Sequence, residues 1–210
     1  MPMRFLFDFV SPYAYLAWER LRRVTDVELE PEPVLFAGLL NAHGQKGPAE
    51  IEVKRRYVFR DVARRATREG IPVVAPHTHP FNPLLSLRVV CAARDLDERR
   101  SLTTALFQAT WARGAPVTTE ADLRPLLGDA ADVLLERAGA PEVKLSLRTN
   151  TERAIAAGVF GVPSLLVGSE LFWGNDSVEY AIAAYHGTLP ALPADEVARW
   201  DTLVASASRT

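Results

Sequence analysis

The chain has a single cysteine, Cys91, in 210 residues. No internal disulfide can form, and neither a Cys-x-x-Cys pair nor a Cys/His metal spacing is present. Cys91 falls in Ser86-Leu-Arg-Val-Val-Cys-Ala-Ala, which reads as a helix, and it reads as core filler rather than a nucleophile. Apolar runs long enough to span a bilayer are missing, so no membrane partner is expected. The N-terminus, Met-Pro-Met-Arg-Phe-Leu-Phe-Asp, meets a charged residue before the apolar region of a signal peptide could be completed, which makes the cytoplasm the expected compartment. Charge of one sign is also missing. A formal −2 gives no reason to expect nucleic acid or an acidic surface as partner. There is no Gly-x-Ser-x-Gly elbow, so a conventional serine nucleophile has no support.

What is present is ordinary globular material, with 48% apolar and 24% charged residues. The length suits one substantial core, or a small domain with a large insertion. Arg4 to Val10 is an aromatic-rich run that reads as a buried strand carrying one acid, Asp8. Ser11-Pro12 supplies a helix N-cap and an N1 proline, and helical spacing follows through Val24. Val27 to Phe36 reads as a second strand, interrupted by prolines that suit a sheet edge.

From Ala37 to about Asn150 strand signals nearly vanish. Helices are expected at Ile51–Glu69, Pro83–Leu96 and Ser101–Arg113. A fourth begins at a Thr119/Asp122 capping box and breaks near Pro125 and Gly128, and a last runs from Pro141 to Gly158. Strands return at Pro163-Ser-Leu-Leu-Val and Glu170-Leu-Phe-Trp, joined by Gly168-Ser169, a pair suited to a type II′ turn. Asp176 and Glu179 are placed to cap a helix to Tyr185 ended by Gly187, and Pro193–Ala205 reads as an amphipathic helix. A sheet does not leave its face bare, so the two ends should join. The expected fold class is α/β: a thioredoxin-like fold with a large all-helical insertion. Residues 1–36 and 151–210 form the discontinuous thioredoxin-like domain, and residues 37–150 the insertion.

Three segments carry candidate chemistry. Asp8-Phe-Val-Ser-Pro-Tyr-Ala-Tyr15 is a strand-to-helix turn, whose free N–H groups and partial positive charge stabilise an anion such as a thiolate. Gly161-Val-Pro-Ser164 places a proline at the start of a central strand, a use that suits a cis bond. Phe172-Trp-Gly-Asn-Asp-Ser177 is a second helix start, fit to hold a carboxylate. Taken singly, each has a plain capping or strand-start explanation. Together they gather on one edge of the expected fold.

These segments, with Lys54-Arg-Arg-Tyr-Val-Phe-Arg-Asp, resemble the 2-hydroxychromene-2-carboxylate isomerases and the related kappa-class glutathione transferases of the thioredoxin superfamily, from Phe5 to about Tyr185. Phe-Trp-Gly at residues 172–174 favours the isomerases. The resemblance implies glutathione as cofactor and a small aromatic keto acid as substrate. The reaction it implies is a cis/trans isomerisation by reversible thiolate addition, in a homodimer. It implies that Ser11 is catalytic and hydrogen-bonds the glutathione sulfur. Lys54 would contact the glycyl end, Val162 before Pro163 the cysteinyl backbone, and Asn175 and Asp176 the γ-glutamyl group. Asn82 and Tyr13 would lie near the substrate. From residue type alone, Phe36, Trp111 or Arg88 are candidates to orient the substrate. Gln45 stands where the transferases tend to have asparagine, which leaves open whether it contacts glutathione, and His79 occupies a place often aromatic in the isomerases, so the acceptor pocket is expected to differ. His77-Thr-His79 lacks a third ligand and is read as non-metal. A kappa-like transferase or peroxidase and a non-catalytic thioredoxin-like binding protein remain as alternatives. Serine at position 11 excludes disulfide exchange by the protein's own side chains there.

Overall fold

The computed structural model describes residues 1–204. Its sheet has four strands in the order β2-β1-β3-β4, formed by β1 (Met3–Phe7), β2 (Leu29–Pro33), β3 (Ser164–Val167) and β4 (Glu170–Trp173). The two ends of the chain do join. β1 pairs in parallel with β2, Phe5 opposite Pro31, and antiparallel with β3, Phe5 opposite Leu165. β2 is the edge, where Pro31 and Pro33 remove N–H donors without breaking a ladder on both sides. β3 and β4 form the expected hairpin. Gly168 has φ +62° while Ser169 does not enter positive φ, which excludes type I′ and fits type II′.

Both faces of β1 are buried because alternate side chains enter different cores. Met3, Phe5 and Phe7 pack with Phe9, Tyr15, Trp18, Phe107 and Trp111 on one side. Leu6 packs with Val34, Leu39, Ala154, Val159 and Leu166 on the other. Each fully buried aromatic contributes on the order of 1.5–3 kcal/mol relative to exposure. α1 (Pro12–Leu21) covers the first face, and α8 (Pro141–Ala156) with α2 (Phe36–Ala42) covers the second.

The helical stretch contains α3 (Glu52–Glu69), α4 (Leu84–Cys91), α5 (Leu96–Phe107), α6 (Glu120–Leu127) and α7 (Ala131–Gly139). Position 150 lies inside α8, and the larger core joins residues from both sides of it.

Several boundaries differ from the sequence reading. Phe36 does not extend β2 but opens α2, because Leu35 is extended and the ladder ends at Pro33. α4 stops at Cys91 rather than Leu96. Asp95 accepts the Glu98 N–H at 2.8 Å and starts α5 five residues ahead of the expected Ser101. α5 then ends at Phe107 in a π-helical turn over Gln108–Ala112. The Thr119/Asp122 capping box is present, and α6 passes through Pro125 to Leu127. α9 (Val178–Tyr185) follows a 3₁₀ turn at Asn175–Ser177, and its start has no side-chain cap, so Asp176 does not serve as one. α10 (Ala194–Asp201) is shorter than the tail helix read from the sequence, whose end at Ala205 lies outside the described residues.

Candidate active site

β1 delivers the chain to a tight turn, and Ser11 caps α1 from an extended backbone with Pro12 behind it. The Ser11 hydroxyl oxygen accepts the Ala14 N–H at 3.2 Å, so the cap is made. The hydroxyl also donates to the Val162 carbonyl at 3.3 Å. Val162–Pro163 is a cis peptide leading into β3. The Pro163 carbonyl in turn accepts the Gly174 N–H at 2.9 Å, which ties the third segment to the second. The three segments therefore meet at one end of the sheet.

They border a cavity of about 560 Å³. Ser11, Tyr13, Lys54 and Val162 line it, as do Phe36, Gln45 and His79. Pro163, Asn175 and Asp176 lie just beyond the lining, one or a few residues along the same loops. Asn82 is also outside the lining. Its side-chain oxygen accepts the Leu84 N–H at 3.0 Å and so serves the start of α4. Trp111 is not at the cavity: it is fully buried and donates its indole N–H to the Phe9 carbonyl at 2.8 Å. Arg88, on α4, does not line it either. Of the three residues named by type, Phe36 alone reaches the cavity.

Sequence reasoning missed much of the wall. Phe59 and Arg55 come from α3, on helical positions whose facing no local signal distinguishes. Phe160 and Trp173 form the rim, their rings 5.0 Å apart, with Trp173 about half exposed. Gly161 lets the Trp173 ring lie close over the backbone, because a Cβ there would meet the indole nitrogen at 2.6 Å and displace the ring. Lys46, Lys54 and Arg55 outnumber the two acids of the lining, Glu50 and the buried Asp8, which suits an anionic ligand.

Two titratable groups border the turn. Asp8 is buried, and its two carboxylate oxygens accept the Val10 N–H at 3.1 Å and the Phe36 N–H at 2.9 Å. Burial pushes its pKa up to about 7 against the lowering effect of those two bonds. His79 places Nε2 at 2.8 Å from the Val10 carbonyl and sets its ring edge-on to Phe59. Burial depresses its pKa, favouring neutral imidazole. Tyr13 turns its hydroxyl away from a free role, donating to Asp61 at 2.8 Å, while Arg65 lies over its ring and also donates to Asp61. Burial, then the bond to Asp61, raises the phenol's pKa.

One further residue bears on ligand binding and another does not. Asn175 is buried and its side-chain nitrogen has no partner among the described residues, although Arg20 donates to its backbone and side-chain oxygens. Cys91 does not line the cavity, and burial pushes its thiol up to about 12. Among the described residues no cluster of three or more His, Cys, Asp or Glu has metal-binding placement, and no helix is long and apolar enough to cross a membrane.

Residues 3–185 match the family described as the DSBA-like thioredoxin domain. The chain belongs to that family. A 2-hydroxychromene-2-carboxylate isomerase of Sphingobium xenophagum is 29% identical over 184 residues, covering 84% of this chain and 93% of the relative. Glutathione s-transferase kappa 2 of Caenorhabditis elegans is 30% identical over 176 residues, covering 77% and 78%. The solved structure of a 2-hydroxychromene-2-carboxylate isomerase superposes with a TM-score of 0.78 at 24% identity, over 96% of this chain and 98% of that one. The thioredoxin-like fold read from the sequence is thus the fold of the family. In this DSBA-like member the turn at the start of α1 carries serine, so it has no thiol of its own for disulfide exchange.

Proposed function

We propose that this DSBA-like protein is a glutathione-dependent cis/trans isomerase acting on an aromatic keto acid of the 2-hydroxychromene-2-carboxylate kind. The observation that carries the reading is Ser11: a hydroxyl at the N-terminus of α1, facing the Val162 carbonyl just before the cis proline and lining a cavity with an aromatic wall. The names of the curated relatives support the same reaction class.

The residues present suit the cofactor. Asn175 has a buried amide nitrogen in need of an acceptor, beside the start of α9, and a γ-glutamyl carboxylate would supply one. Asp176, exposed next to it, is assigned to the α-amino group of the same unit. Lys54 is assigned to the glycyl carboxylate, and the backbone of Val162, before Pro163, to the cysteinyl unit. When bound, glutathione supplies a thiolate that adds to the conjugated system, letting the former double bond rotate before elimination restores it.

The protein's part is to hold that sulfur ionised. A free thiol titrates at about 8.5, and the Ser11 hydroxyl with the partial positive charge at the start of α1 favours the anion. The Ser11 proton is at present given to Val162, so the hydroxyl rotates to serve the sulfur. Phe36, Phe59 and the Phe160–Trp173 rim exclude water and orient an aromatic acceptor, with Tyr13 contributing its ring. Asn82 would reach the acceptor only from outside the lining. A homodimer, a cytoplasmic setting and the division into a thioredoxin-like domain and a 37–150 insertion belong to the same proposal.

The test is incubation of purified protein with 2-hydroxychromene-2-carboxylate, with and without glutathione. Isomerisation only with glutathione is the expected result, and equal inactivity in both overturns the reading. The kappa-class relative supports a second reading, transfer of glutathione to an electrophile. Turnover of a chlorodinitrobenzene-type acceptor without chromene activity would favour it.

A further inference from the structure

We propose that Asp8 is a positioning residue for Ser11, its carboxyl fixing the strand-to-helix turn against the opposite wall of the cavity while His79 fixes the turn from the other side. The proposal rests on the reading of Ser11 as the reactive residue.

The turn is held through two consecutive peptides. The Val10 N–H donates to one Asp8 carboxylate oxygen, and the Ser11 N–H donates to the Asp8 backbone carbonyl at 3.1 Å. The Val10 carbonyl, the other polar end of the peptide that leads into Ser11, meets His79 Nε2. A carbonyl only accepts, so His79 carries its proton on Nε2. Its Nδ1 is then a bare lone pair, and it is buried with no partner among the described residues. Both polar atoms of the peptide preceding Ser11 are thereby pinned, so the position of the serine oxygen follows from them.

The second Asp8 oxygen reaches across to the Phe36 N–H, the first of α2. Phe36 and Leu40 of α2 line the cavity with Ser11. One carboxyl therefore sets the distance between the residue that would handle the sulfur and the wall that would face the acceptor. Loosening either tether changes the reacting geometry without removing a ligand contact.

The grip through Asp8 is sensitive to a proton, and the grip through His79 is not. Charged groups lie close by: Lys46, Glu50, Lys54 and Arg55 line the same cavity, and Glu32 on β2 is paired with Arg4 and Arg153. None of them bonds to Asp8, whose side chain has two backbone partners among the described residues. Burial without a compensating cation brings its titration close to neutrality. A proton on either oxygen makes it a hydroxyl, a poorer acceptor than a carboxylate oxygen, and that tether weakens. A second proton on His79 leaves the Nε2–H bond to Val10 in place.

The experiment is an NMR titration of ligand-free, isotope-labelled protein from about pH 5 to about pH 9, which brackets the neutral range. The Asp8 carboxyl carbon and the amides of Val10, Ser11 and Phe36 are expected to shift with one common midpoint. Amides that stay flat, or that follow midpoints of their own, overturn the proposal. Asp8→Asn, which opposes one N–H with an NH₂ at every pH, is expected to lower turnover at saturating glutathione on the order of tenfold to a hundredfold. Its glutathione affinity should stay within about threefold, because no ligand contact is removed. Full turnover with an unchanged pH profile overturns the proposal as well. Should the variant fail to fold, the titration of the wild type decides. Should the wild type bind no glutathione, the glutathione reading falls, and the same ligand-free titration still decides the role of Asp8.

Discussion

Ser11 and Val162 are 151 residues apart in sequence, and the serine hydroxyl donates to the valine carbonyl across 3.3 Å. A hydroxyl has one proton, so in this state it is committed to the protein. Support for a sulfur anion requires that proton to be redirected, while the oxygen keeps the Ala14 N–H as a cap.

Ser11→Ala removes both roles, and they separate by measurement. Turnover is expected to fall on the order of a hundredfold to a thousandfold, as for loss of one stabilising donor. Glutathione affinity, spread over several contacts, should change far less. Loss of the cap should lower unfolding stability by about 1 kcal/mol. Steady-state kinetics, titration calorimetry and denaturant unfolding read the three effects. An unchanged rate would remove Ser11 from the mechanism.

Gly161→Ala tests the rim. The added Cβ would sit 2.6 Å from the Trp173 indole nitrogen, so the ring must move. Trp173 is about half exposed and can swing outward, which keeps the cost to stability below about 1 kcal/mol. The displaced ring leaves Phe160 and opens the aromatic side of the cavity. The acceptor KM should rise severalfold while the glutathione KM stays constant, and the tryptophan emission should change. An unaltered acceptor KM would show that the rim does not touch the acceptor.

Tyr13→Phe separates the ring from its hydroxyl. The hydroxyl is engaged with Asp61, so its loss should cost about 1 kcal/mol of stability. The ring stays in the cavity, and KM for the acceptor should be nearly unchanged. Burial works to raise the Asp61 pKa, but the bonds from Arg65 and Tyr13 outweigh it and hold it below the usual value. A depressed carboxylate stabilises the fold above its unfolded pKa of about 4 and loses that effect as pH falls through its lower folded value. The variant should therefore be less acid-sensitive than the wild type, relative to its own stability at neutral pH. A large rise in the acceptor KM would place the hydroxyl, not the ring, at the substrate.

Signals that depend on a local pattern were legible in the sequence. Ser11-Pro12 gave a cap, Gly168-Ser169 a hairpin, Thr119/Asp122 a capping box, and the prolines of β2 an edge. The ends of α4 and the start of α5 were not, because Asp95 competes as a cap inside a run whose apolar spacing continues past it. The site divided in the same way. Ser11 and Val162 announce themselves at an element start, whereas Phe59 and Arg55 reach the cavity through the packing of α3 against the sheet. Trp111 resembles a binding aromatic by type and is in fact a core residue, its indole N–H taken by Phe9.

Asp8 makes a prediction about stability that is independent of any ligand. Its pKa is about 7 in the folded protein, against a reference value of 3.8. The cause is burial, so the folded state holds a proton that the unfolded chain has already released. Between about pH 4 and about pH 7 the folded protein binds more protons than the unfolded one, and this group's contribution to stability must fall as pH rises. The interval corresponds to roughly 4 kcal/mol at its widest. Asp8→Asn has no such proton, so its own stability lacks this slope. Both proteins share every other titrating group, and the difference between their unfolding free energies isolates Asp8. Wild-type stability minus variant stability should decline across that interval and level off above about pH 8. Denaturant unfolding at a series of pH values measures it, and a difference that stays constant would mean that Asp8 is ionised throughout, with its two backbone N–H bonds outweighing burial.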